Sequence, residues 1–82
     1  MSIGTIDDRV AQVVREILEQ KGTGEQDIRT ESNLYEEGLG LDSLDTATLS
    51  AALEREFGRD PYTDGQFPRT VGELVQFFAS QP

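Results

Sequence analysis

The sequence predicts an all-α fold: a four-helix bundle of three longer helices plus one short one, with a long ordered loop between the first and second. Three observations carry this reading. Apolar residues recur at helical spacing in three separate stretches, each opened by a capping residue. No stretch alternates apolar and polar residues as a half-buried strand would. The chain has 82 residues, the length of one small domain, so residues 1–82 are read as a single unit.

The first helix is placed near 6–20, where Ile6, Val10, Val13, Val14, Ile17 and Leu18 share one face. Thr5 can cap it, Asp7 and Asp8 suit the positive end of its dipole, and Lys21-Gly22 ends it. The second runs from Leu44 to Phe57, with Asp42 or Ser43 as N-cap and Gly58 as the stop. The third starts at Val71 and reaches about Ser80, and Thr70-Val71-Gly72-Glu73 has capping-box spacing. Between the last two, Asp60-Pro61-Tyr62-Thr63-Asp64-Gly65 offers a cap, a proline at the first helical position and a glycine stop, enough for about one helical turn. Pro68 prevents its smooth continuation. Residues 22–41 hold four glycines and no sustained period, and read as an ordered loop anchored by Ile28, Leu34, Tyr35, Leu39 and Leu41. A loop of that length in a small domain usually has a function of its own.

Composition removes whole classes of activity. There is no cysteine and no histidine, so disulfides, thiolate sites and the commonest general base are excluded. Sixteen acids against seven bases give a formal net charge of −9. Such a chain has no basic footprint for nucleic acid and is repelled by an anionic membrane surface. No apolar run approaches the length of a membrane span, and the first residues lack the pattern of a targeting segment. A cytoplasmic, monomeric, non-catalytic protein is expected, since secreted domains of this size usually rely on disulfides.

The second helix has two faces worth separating. Thr46, Leu49, Leu53 and Phe57 form the core stripe, while Leu44, Ala47, Thr48, Ala51, Glu54 and Arg55 fall on the opposite side, with Asp45 beside them. Either Leu44 packs beneath the long loop and the alanines are simply good helix formers, or this face is a shallow docking surface rimmed by charge. The charge is uneven: residues 31–60 hold eight acids and two bases. Glu31, Glu36, Glu37, Asp42, Asp45 and Glu54 occur with no base between Arg29 and Arg55. This is either a solvated acidic loop or a patch for a basic partner. The spacing of Glu36, Glu37, Asp42 and Asp45 does not match a calcium loop, so no metal site is expected.

Gly40-Leu41-Asp42-Ser43-Leu44-Asp45 lies where the loop enters the second helix. This run resembles the attachment motif of acyl carrier proteins, an Asp-Ser-Leu at the start of the second helix. The likeness extends over nearly the whole chain, through the first helix, the 39–46 run, the Leu-Glu-Arg-Glu-Phe-Gly ending at 53–58 and the last helix. It implies 4′-phosphopantetheine, delivered from coenzyme A by a phosphopantetheinyl transferase to Ser43, whose terminal thiol holds cargo as a thioester. It further implies that Asp42, Leu44, Asp45, Ala47, Ala51 and Glu54 meet partner enzymes with basic docking patches. A peptidyl or aminoacyl carrier shares these features, and an unmodified acidic interaction module is the remaining alternative. Thr48 and Arg55 stand where carriers of fatty-acid synthesis generally have acids, which points to a specialised pathway. Tyr62 and Phe67 either line a cargo pocket or belong to the ordinary core.

Overall fold

The computed structural model describes residues 5–35 and 38–80. Among them are three α-helices and no strand: α1 (Ile6–Gln20), α2 (Ser43–Phe57) and α3 (Val71–Ala79). Glu36 and Glu37 of the expected acidic patch lie outside the described residues.

Each helix begins where a side chain can satisfy an otherwise unpaired N–H. Thr5 Oγ1 accepts from Asp8 N–H at 3.2 Å and Thr70 Oγ1 from Glu73 N–H at 3.1 Å. Glu73 departs from the reciprocal half of a capping box, because its carboxylate accepts from Arg69 N–H at 2.7 Å, one residue beyond the cap. At the other end of α2, Gly58 takes φ 86° and donates its N–H to Glu54 O at 2.7 Å. That left-handed conformation is strained for any residue with a Cβ, so the helix stops at its glycine.

Helix α1 is the central element and packs against both α2 and α3. It buries Val10, Val13, Val14, Ile17 and Leu18 against Leu49 and Leu53 of α2 and Val71, Leu74, Phe77 and Phe78 of α3. Burying one such side chain completely contributes about 1.5–3 kcal/mol. The stacked rings of Phe57 and Phe78, with centroids 4.1 Å apart, join the ends of α2 and α3. Arg9 covers Phe57 at 4.5 Å and bonds the Glu56 carboxylate at 3.0 Å, tying the start of α1 to the same corner.

The long loop completes the core. Leu34, Leu39 and Leu41 are buried, and Ile28 and Tyr35 pack partly against them, which fulfils the anchoring expected of this segment. Its backbone is stitched to the entry of α3: Leu34 N–H donates to Arg69 O, Val71 N–H to Ser32 O and Gly72 N–H to Thr30 O, all within 3.0 Å. The approach is close enough that a Cβ on Gly72 would sit 2.7 Å from Thr30 Cγ2.

The short fourth helix expected at 60–65 is a single turn instead. Asp60 does cap it, accepting from Thr63 N–H at 3.0 Å and Thr63 Oγ1 at 2.8 Å. The backbone bonds, however, run from Gly65 to Tyr62 and from Gln66 to Pro61, so none has α-helical spacing. Three residues between Pro61 and the left-handed Gly65 are too few to repeat the i to i+4 bond.

Candidate functional site

The start of α2 is held from three directions. Buried Leu41 anchors the chain just before the helix. Asp42, not Ser43, is the N-cap: Asp42 Oδ1 accepts from Asp45 N–H at 2.9 Å, and Asp45 Oδ2 accepts from Asp42 N–H at 3.0 Å. Thr46 adds two bonds to the Asp42 carbonyl, from its N–H and its hydroxyl, both at 2.9 Å. Lys21, just past the end of α1, then places Nζ 2.7 Å from Asp45 Oδ2. The pair lifts the Lys21 ammonium above its ordinary pKa, chiefly through the hydrogen bond to Asp45. The same bond, with the Asp42 N–H, holds the Asp45 carboxyl below the usual range.

Ser43 is left over by this arrangement. It is the first residue of α2, exposed, and its hydroxyl has no hydrogen-bond partner among the described residues. Beside it lies an open depression of about 670 Å³ lined by Asn33, Tyr35, Leu41, Asp42, Ser43, Thr46 and Arg69. Tyr35 is fixed there by its hydroxyl, which donates to Pro68 O at 3.1 Å and lies 3.3 Å from the Tyr62 hydroxyl. Burial, then the neighbouring Tyr35, pushes the Tyr62 hydroxyl well above the ordinary tyrosine range, so it is a neutral donor at physiological pH.

The outer face of α2 follows from helical spacing. Leu44 is 70% exposed rather than tucked beneath the loop. Ala47, Thr48, Ala51, Glu54 and Arg55 are exposed on the same side. Together with Glu16 and Gln20 of α1, several of them edge an open groove between the two helices. Asp45 differs from this face in its contacts, because its carboxylate bonds Lys21 Nζ and the Asp42 N–H. Tyr62 packs partly against the core, whereas Phe67 is 71% exposed beside a different depression at the start of α3.

Sequence reasoning missed the partners supplied by distant segments. Lys21, Asn33 and Arg69 reach the Ser43 region only through folding. The one local signal was that Lys21 is the sole lysine, which marks it without saying where it goes.

No helix among the described residues is long and apolar enough to cross a membrane. A hydroxyl unpaired among the described residues, displayed on a capped helix start in a chain without histidine or cysteine, suits attachment of a reactive group made elsewhere. That is the design of a carrier domain. The model of one family, described as the phosphopantetheine attachment site, matches residues 8–78, and the chain belongs to that family. Domains of this family carry covalently attached 4′-phosphopantetheine, and typically act as non-catalytic carriers. No solved structure matches the chain significantly.

Proposed function

We propose that this chain is an acyl carrier whose Ser43 bears the phosphopantetheine arm. The observation that supports this most directly is the exposed Ser43 hydroxyl, unpaired among the described residues, on a backbone clamped by Asp42, Asp45, Thr46 and Lys21. When bound, the group supplies a flexible thiol on which cargo is held as a thioester.

The chain's own residues perform three tasks. Ser43 Oγ forms the new bond to phosphorus while the pyrophosphate bond of coenzyme A breaks and the adenosine bisphosphate leaves. Its proton must pass to the transferase, because the chain offers no histidine base. The capping box keeps the hydroxyl's place fixed, and the helix start tolerates the added negative charge. Leu44, Ala47, Ala51 and Glu54, with Asp42 at the end of the helix, form a docking face for basic partner enzymes. Such contacts steer encounter more than they add affinity, as a carrier that must leave each partner requires.

Exposed Thr48 and Arg55 interrupt that acidic face, which supports a specialised acyl pathway over bulk fatty-acid synthesis. The reading includes a monomer in the cytoplasm, a compartment supported by a small chain without cysteine. Incubation with coenzyme A and a broad-specificity phosphopantetheinyl transferase tests the proposal. Intact mass rises by one phosphopantetheine in the unmutated chain and stays constant in Ser43→Ala. An unmutated chain that several transferases leave unmodified overturns the reading.

A further inference from the structure

The charged residues flanking Ser43 in sequence are acidic, and folding brings two cations to the region, Lys21 to Asp45 and Arg69 to the depression beside Ser43. Arg69 stands 26 positions further along the chain and shares the wall of the depression beside Ser43. Its backbone is fixed on both sides, the carbonyl accepting from Leu34 N–H at 2.8 Å and the N–H donating to Glu73 Oε1 at 2.7 Å. The guanidinium, in contrast, forms no ion pair with any described residue, Asp42 included. Most other bases are engaged: Arg9 with Glu56, Lys21 with Asp45, Arg29 with Asp27 and Arg59 with Asp64. Arg15 donates to Gly24 O. Among the described residues, Arg69 is therefore a charge at the site without an ion-pair partner.

Resting on the carrier reading above, we infer that Arg69 is the counterion for the phosphodiester on Ser43, and that the depression it lines receives the first part of the arm. A phosphodiester on Ser43 adds a negative charge next to Asp42 and Asp45. Guanidinium is the side chain best matched to phosphate oxygens. The rest of the wall suits a chain of amides and methyls: Leu41 and the Tyr35 ring are apolar, and the Asn33 amide can donate. Asn33 Oδ1 already accepts from Tyr35 N–H at 2.8 Å, and its amide nitrogen has no acceptor among the described residues. The arm is thereby biased toward the loop side of α2, and the outer face with Leu44, Ala47 and Ala51 stays clear for partners.

The test compares backbone amide resonances of apo and holo protein for the unmutated chain, Arg69→Gln and Arg69→Lys, with loading checked by intact mass. Loading should shift the amides of Asn33, Tyr35, Leu41 and Thr46 in the unmutated protein and in Arg69→Lys. In Arg69→Gln the docked population should fall about two- to fivefold, the equivalent of one exposed charge pair, and the shifts should shrink accordingly. High salt should produce the same loss in the unmutated protein by screening the pair. Identical shifts in Arg69→Gln and the unmutated chain overturn the role of Arg69, and shifts confined to Ser43 and Leu44 overturn the docked arm. Absence of any mass gain in the unmutated protein instead overturns the carrier reading itself.

Discussion

Asp60 illustrates how a single residue can be buried as an anion without an ion pair to any described residue. The residue is 2% exposed, and its carboxylate accepts from the Thr63 N–H and hydroxyl. Burial pushes its pKa up, but those two bonds, with others from Ser50 and the Tyr62 N–H, outweigh burial and hold it below the usual range. A lowered carboxyl stabilises the fold fully above its unfolded value, about 3.9, and that contribution fades as pH falls through the folded value. Asp60→Ala should cost about 1–3 kcal/mol at neutral pH, since it removes the shared acceptor of several part-buried donors. Urea denaturation of Asp60→Asn and the unmutated chain should show a wider stability gap at neutral pH than in acid. A gap of equal size at both would mean that the charge contributes nothing. Asp60 was legible in the sequence as a cap, because an aspartate before a proline and three residues ahead of a hydroxyl has that chemistry. Its burial was not, since nothing local says that Ser50 of α2 lies against it.

At the scale of the element, α2 divides its labour between its faces. Leu49 and Leu53 are fully buried, while Leu44 is exposed at the opposite end of the pattern. Leu49→Ala should destabilise by about 2–5 kcal/mol, whereas Leu44→Ala should change stability by less than about 0.5 kcal/mol. If Leu44 docks partners, Leu44→Ala should nonetheless lower kcat/KM of the transferase for this chain. Equal kcat/KM for the two proteins would remove Leu44 from the docking face. The cap behaves differently from either. Asp42→Ala should cost about 0.5–2 kcal/mol in chemical denaturation and loosen the helix turn that presents Ser43. Helical spacing alone separated the two faces of α2, because residues three and four apart must share a side. It left the cap open between Asp42 and Ser43, which differ by one position and are both good capping residues.

For the whole molecule, the net charge of −9 acts as a diffuse load on the fold. Charges of one sign repel, and salt screens them over about 8–10 Å at physiological strength. The melting temperature should therefore rise as sodium chloride is added, while docking to basic partners weakens. A flat melting temperature across the titration would show that the acids do not repel one another appreciably. Part of that charge is already offset inside the fold. The Lys21–Asp45 attraction holds between the ordinary carboxylate and lysine ranges. It fades in acid as Asp45 takes up a proton, and in base as Lys21 loses one above its raised pKa. Three helices, the starts of α1 and α3, the glycine stop of α2 and the loop anchors were determined by the sequence itself. Caps, periodicity and glycine stops act over about four residues, so a linear reading captures them. Tertiary structure alone decided that Lys21 reaches Asp45, 24 residues away. It alone brought Arg69 to the depression beside Ser43. Those outcomes depend on how buried leucines and valines set the helices against one another, and that packing brings together residues that no local pattern connects.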